Sequence, residues 1–493
     1  MDELIALSNA TLGDLPEQVR VPGYDRSALT AGIVHIGLGN FHRAHQAWYL
    51  HTLMNQGLCH DWAIIGAGVR EYDAKMRERM LAQDCLTTLI ELDPDNTSVE
   101  VIGSMIDYLP VHKGHGPLIA QMADPAIRIV TMTVTEGGYY RVGDRLDTDH
   151  SDIRADIANP NAPTTAFGAI IAALSKRRAD GSGPFTVQSC DNLQGNGDVV
   201  RDTIVSLARL IDPELADWID SKCTFPNAMV DCIVPATGPN ELDLVRNHGI
   251  DDQVPVTHEP FRQWVIEDRF CAGRPDWERV GATLTDDVQR FEAMKLRILN
   301  GGHQIVANAG ELLGIGTIAD AAAHPLISAL FHKVQVEEIL PQVEAVPGFT
   351  PPEYLDLIEH RFSNPRIVDT VRRVAFDGSS RHPGFLLPSI RERLAAGAPT
   401  DGLALVEALW ARMCTGTRED GSAIEANDPI WEELVVAAKA ARQEPSAWLE
   451  LPAVYCQEIA GNAAFQTAFA AHLTRIYDVG VTTAIQAYLN TSS

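Results

Sequence analysis

The stretch Gly32-Ile33-Val34-His35-Ile36-Gly37-Leu38-Gly39-Asn40-Phe41-His42-Arg43-Ala44-His45 leaves few architectures open to this chain. An apolar run passes through Gly-x-Gly into helix-forming residues, so the segment reads as strand, tight turn, helix. The two glycines permit the turn and let backbone N–H groups approach a pyrophosphate at the helix start. Gly37, Gly39, Phe41, His42 and Arg43 are therefore candidate cofactor residues. His42 stands where the dinucleotide fingerprint carries its third glycine, so the motif needs support from its surroundings. His42 and His45 have the spacing of a metal pair, but with no acid or cysteine cluster nearby a helix start facing cofactor or water is preferred.

That support comes from the next strands. Trp62-Ala63-Ile64-Ile65-Gly66-Ala67-Gly68 reads as a second buried strand, followed by Arg70, Glu71 and Asp73. An acid there holds a ribose 2′-hydroxyl, which favours NAD, while Arg70 keeps NADP open by offering a guanidinium to a 2′-phosphate. A solvated loop is an equally good reading of Glu71 and Asp73. Leu86 to Ile90 and Val99 to Gly103, separated by Asp93-Pro94-Asp95-Asn96, predict an antiparallel hairpin. Ile127 to Val134 runs into Thr135-Glu136-Gly137-Gly138, and Phe185 to Cys190 runs into Asp191-Asn192 with an Asn196-Gly197 turn after it. Ala228 to Pro235 is a further strand, and Ala166 to Arg177 and Val199 to Ile211 read as intervening helices. Alternation of this kind gives a parallel sheet, with ligands beyond its carboxyl ends. Glu136 and Asn192 then fall near one crevice, whereas Asp231 lies inside its apolar run. Capping a helix or closing a turn is the commoner role for any single Asp or Asn.

Beyond about Phe291 the strand signals nearly vanish. Leu326 to Ile339, Tyr354 to Arg361, Pro388 to Ala395, Leu403 to Arg412, Trp431 to Arg442 and Ala464 to Ile476 have helical apolar spacing. The fold class is thus an α/β N-terminal domain, residues 1–286, plus a mostly α-helical C-terminal domain, residues 287–493. Across the junction, Phe291 to His303 predicts a helix. At about 100° per residue, Lys295, Glu292, His303 and Asn300 fall at roughly 0°, 60°, 80° and 140°, on one side. Gly301-Gly302 weakens that helix and allows a ligand or backbone to come close. Taken singly, the lysine reads as solvated, the asparagine as a cap and the histidine as a core residue. Farther on, Arg372-Arg373 and Asp377-Gly378-Ser379-Ser380-Arg381 can bind hydroxyls or a carboxylate, or lie on the surface.

Composition narrows the partners. The net charge of −27 repels phosphate backbones and anionic membranes, which argues against nucleic acid. No apolar run approaches a membrane span, and no secretory leader is visible. Eight scattered cysteines without a Cys-x-x-Cys pair suggest reduced core residues and no metal site. A cytoplasmic protein acting on a small molecule, as a monomer or small homo-oligomer, is the expectation.

Lys295-x-x-x-x-Asn300-x-x-His303, downstream of Gly37-x-Gly39-x-Phe41-His42-Arg43-Ala44, with Ser189-Cys190-Asp191-Asn192 and Phe225-Pro226-Asn227-x-Met229-Val230-Asp231 between them, resembles the zinc-independent long-chain mannitol dehydrogenase family. Arg361-Phe362-Ser363-Asn364-Pro365 and Asp377-Gly378-Ser379-Ser380 follow in family order. The resemblance implies a Rossmann-type N-terminal domain, a helical C-terminal domain and an active site in the cleft between them. It implies NAD(P)-dependent oxidation of a polyol to a ketose, mannitol to fructose being the leading pair. Lys295 would be the general base, Asn192 and Asn300 the amides holding the reacting oxygen, and His303 a substrate-binding or orienting group. Asp231, Arg373 and Arg381 would contact the sugar chain. Two positions depart from the family pattern: Cys232 replaces an expected arginine, and Arg381 an expected lysine.

The residue chemistry agrees. Hydride loss from a secondary alcohol requires removal of its O–H proton, which a lysine can do near neutrality only if its pKa falls from about 10.4. Two amides can stabilise the developing alkoxide without a metal. Glu292 passes the proton to solvent, or simply pairs with Lys295. The alternatives are a hexuronate reductase or altronate-type oxidoreductase using Arg373 or Arg381 against a carboxylate, another polyol dehydrogenase acting on arabinitol or sorbitol, and a catalytically silent NAD-binding regulator.

Overall fold

The computed structural model describes residues 4–491 of the chain. Two compact units make it up, Met1–Gln289 and Arg290–Ser493.

The first unit is built on five parallel strands: β1 (Ala31–Ile36), β2 (Ala63–Ala67), β3 (Met105–Leu109), β4 (Ile129–Met132) and β5 (Thr186–Ser189). Their spatial order is β3-β2-β1-β4-β5, with Ile36 in register with both Ala67 and Met132. This is the strand order of a dinucleotide-binding half, and its direction reverses between β1 and β4. Val34, Ile36, Ile65, Val130 and Met132 pack on one face with helix Ala166–Asp180, while Ile33, Ile64 and Ile129 pack on the other with helix Gln46–Asn55. Burial on both faces explains why these strands read as unbroken apolar runs.

Four smaller sheets accompany this core among the described residues, and two of them hold predicted strands. Thr87–Leu92 and Thr97–Ile102 form the expected antiparallel hairpin, in register from Thr87↔Ile102 to Leu92↔Thr97. Ala228–Asp231 does not extend the parallel sheet; it pairs antiparallel with Gln263–Glu267. The expected Asn196-Gly197 turn is instead the first turn of helix Asn196–Ile211, entered through Gly195 at φ +60°. The Asn196 amide donates to the carbonyls of Asp191 and Ala228, which fixes it there.

In the second unit the described residues form no named strand. Its helices include Pro325–Val334, Pro351–Phe362, Leu387–Ala395, Asp401–Met413, Trp431–Ala441 and Ala463–Val479. Helix Gly301–Leu312 is its centre, and every residue on it except His303 is buried. No helix among the described residues is long and apolar enough to cross a membrane.

The predicted straight helix over Phe291 to His303 is interrupted. Val288–Met294 is α-helical, Lys295–Asn300 is a π-helix, and α-helical geometry resumes at Gly301. Its i→i+5 hydrogen bonds widen the turn, so an angular placement at 100° per residue does not hold across it. Packing accounts for the position: the Gln335 amide donates to the Ile298 carbonyl at 3.0 Å. A Cβ on Gly302 would sit 2.5 Å from Phe331, and one on Gly301 3.3 Å from the Phe385 carbonyl. The two glycines therefore admit protein neighbours, not a ligand.

Candidate active site

Beyond the carboxyl ends of β1, β2 and β4 opens a cavity of about 250 Å³, lined by Gly37, Gly39, Arg70, Asp73, Thr135 and Tyr140 among others. Gly37 has φ +89°, and a Cβ there would run into the Thr133 carbonyl. Gly39 has nothing within 4 Å of its missing side chain. One glycine makes the turn and the other leaves the floor bare, which fits a pyrophosphate held by backbone N–H groups.

The helix start itself turns inward. His42 is fully buried and stacks on His35, ring centroids 3.5 Å apart. Burial holds its imidazole well below the ordinary range, with the charges of His35 and Arg43 acting the same way. Arg43, also buried and pushed down to about 10 by desolvation, donates to the carbonyls of Gly39 and Val254 and to Asn40. Phe41 stacks on His45 at 4.9 Å. Contrary to a helix start facing cofactor or water, His42 and Arg43 brace the glycine loop from behind. Of the residues expected around the nucleotide, Gly37, Gly39 and Asp73 line the cavity. The Asp73 carboxylate accepts the N–H groups of Val69 and Arg70, both at 2.9 Å. The Glu136 side chain lies outside the described residues.

Asn192 is exposed just beyond β5, whereas Asp231 is buried at the end of its separate strand. Only Asn192 therefore follows a strand of the parallel sheet. Asp191, beside it, is the more connected residue. Its carboxylate accepts the N–H groups of Val134 and Thr135 and the Tyr139 hydroxyl.

In the second unit, Lys295 opens the π-helix and is 7% exposed, and Glu292, one turn earlier, is 4% exposed. Both are withdrawn from water, where a lysine seldom sits. Asn300 closes the π-helix, with its buried side-chain oxygen lacking a hydrogen-bond partner. His303 stacks on Phe362 at 4.3 Å. Arg373 grips Asp369 through two hydrogen bonds of 2.7 and 2.5 Å, and Arg381 donates to the Val374 carbonyl at 2.6 Å.

Sequence reasoning missed Thr133 to Thr135, Tyr140 and Thr164 to Ala166 on the cavity wall. The strand ending at Val134 and the helix starting at Ala166 were marked, but no pattern singled these residues out as cavity wall, because the chain completes that wall by loops. It also missed Asp191 as a hub, although the residue stood next to a chosen asparagine.

Comparison with known proteins follows the same division. Residues 31–279 match the mannitol dehydrogenase Rossmann domain and residues 287–477 the mannitol dehydrogenase C-terminal domain. The chain belongs to the mannitol dehydrogenase family. It is an enzyme, a polyol dehydrogenase with a Rossmann-type N-terminal domain and a largely helical C-terminal one. A mannitol 2-dehydrogenase of Cereibacter sphaeroides is 53% identical over 96% of this chain and 100% of that protein. One from Pyrenophora tritici-repentis is 41% identical over 94% of this chain and 82% of its own length. Among solved structures, the Pseudomonas fluorescens mannitol 2-dehydrogenase ternary complex with NAD and D-mannitol has TM-score 0.89 and 40% identity, covering 99% of this chain and all of that one. A substrate-free D-sorbitol dehydrogenase has TM-score 0.88 and 34% identity, covering 97% of this chain and all of its own.

Proposed function

We propose that the protein oxidises D-mannitol to D-fructose, with NAD as cofactor and Lys295 as general base. The observation that carries this reading is a lysine only 7% exposed at a break in helical geometry, beside a buried Glu292. When bound, NAD supplies the hydride acceptor. Gly37 and Gly39 shape the loop for its pyrophosphate, and Asp73 edges the same cavity. Lys295 takes the alcohol proton at Nζ, and Glu292 relays it to solvent. Asn300 and Asn192 hold the oxygen as its charge develops, a service worth about 10²–10³-fold per donor at such sites. His303, held flat by Phe362, orients the substrate, while Asp231, Arg373 and Arg381 meet the sugar chain.

The pairing of Arg373 with Asp369 favours a neutral polyol over a hexuronate. A carboxylate would have to displace a two-point ion pair whose acid is itself buried. The likeness to a D-sorbitol dehydrogenase supports turnover of that polyol as well. Eight free thiols fit a reducing, cytoplasmic setting. The test is a screen of D-mannitol, D-sorbitol, D-arabinitol and a hexonate with NAD and NADP, read by reduced-nicotinamide absorbance. Mannitol with NAD should give the highest kcat/KM, and preference for the hexonate would overturn the substrate.

A further inference from the structure

We propose that Asp191 is a positioning residue that holds the wall of the nucleotide cavity in a backbone conformation Thr135 would not adopt unaided. Thr135 has φ +63° and ψ 163°, a region that L side chains rarely enter and glycine enters freely. In the loop it belongs to, Thr133, Val134, Thr135 and Gly138 line the cavity beside Gly37 and Gly39. What keeps it there is one carboxylate. Asp191 Oδ1 accepts the Thr135 N–H at 2.9 Å, and Oδ2 accepts the Val134 N–H at 3.1 Å and the Tyr139 hydroxyl at 2.7 Å.

The carboxylate is itself anchored. The Ser189 hydroxyl bonds Tyr139 at 2.6 Å and accepts the Asp191 N–H at 3.2 Å. On the far side, the Asn196 amide holds the Asp191 carbonyl at 3.0 Å. Asn192 is the next residue along, so one side chain ties the cavity wall to the main chain carrying that amide. Its contribution reaches NAD through Thr135 and not by contact. This inference rests on the reading that NAD occupies the cavity.

Binding of NADH to the purified full chain, followed by nicotinamide fluorescence beside thermal melting, separates the possibilities. Asp191→Asn keeps the shape but turns one acceptor into a donor facing a backbone N–H. It should weaken NADH about tenfold or more as Thr135 relaxes. Thr135→Gly in the unaltered background should raise the melting temperature, because glycine pays no penalty at this φ. In the double variant it should restore most of the lost affinity. Unchanged NADH affinity in D191N, or no recovery in the double variant, overturns the proposal. Should D191N not fold, T135G alone decides, and a melting temperature at or below that of the unaltered chain overturns it. Failure of the unaltered chain to bind NADH overturns the nucleotide reading and this inference with it; an insensitive D191N overturns this one alone.

Discussion

The two units prepare their functional residues in opposite ways. In the first, backbone carries the site: a turn at Gly37, a bare floor at Gly39 and a forced loop at Thr135. In the second, the proposed site rests on side chains, and Lys295 and Asn300 stand at the two ends of a π-helix. A backbone-built site tolerates exchange of its side chains, which is how His42 can replace a fingerprint glycine and pack inward against His35. A side-chain-built site tolerates none of the identities changing, but depends on the packing beneath it. Damage to each unit should therefore show in a different quantity.

Gly37→Ala should give the largest separation. A side chain at φ +89° that also meets the Thr133 carbonyl costs on the order of 3 kcal/mol, or more than about 100-fold in NADH affinity. Titration of the variant with NADH checks this, and unchanged affinity would break the contrast. Gly302→Ala is its counterpart. The added Cβ displaces Phe331 and disturbs the Gln335 bond to Ile298, destabilising the second unit by about 1–3 kcal/mol. Denaturant unfolding should show that loss with little change in NADH binding.

Acidity should distinguish the units by a smaller margin. Burial pushes His35 down from 6.5 to about 3, and His42 also lies well below the imidazole range. Their neutral forms favour the fold, so their contribution is full above pH 6.5 and is lost as pH falls toward 3. Glu338, in the second unit, is pushed up from 4.5 to about 7 by burial, although it accepts the N–H groups of Gly402 and Leu403. Its contribution is full below pH 4.5 and is lost as pH rises through about 7. From pH 7 to 5 the first unit should weaken, by at most about 1.4 kcal/mol per pH unit for each histidine, while the second strengthens. Hydrogen exchange on β1 and on Gly301–Leu312 reads the two separately. A parallel response would remove the distinction.

The architecture of both units was legible because periodicity survives in sequence. Apolar runs marked β1, β2, β4 and β5, and glycine spacing marked the turn after β1. Three things were not legible. The π-helix is packed against by the Gln335 bond to Ile298 and the Phe331 ring at Gly302, contacts between segments about 30 to 40 residues apart. Ala228–Asp231 looked like a fifth parallel strand because a buried antiparallel strand has the same apolar run, and the strand Met105–Leu109 was not foreseen. The strain at Thr135 leaves no mark in residue type; its φ of +63° reveals it, and one hydrogen bond from its N–H to Asp191 holds it. For the proposed catalytic residues, the sequence supplied identities, and the structure added that Lys295 and Glu292 are withdrawn from water.

The most direct test of the account is Lys295→Ala, assayed for mannitol-dependent reduction of NAD alongside NADH titration. Loss of a positioned base should lower kcat by about 10²–10⁴-fold while NADH affinity stays at that of the unaltered enzyme. A variant that still turns over mannitol at the original rate would contradict it.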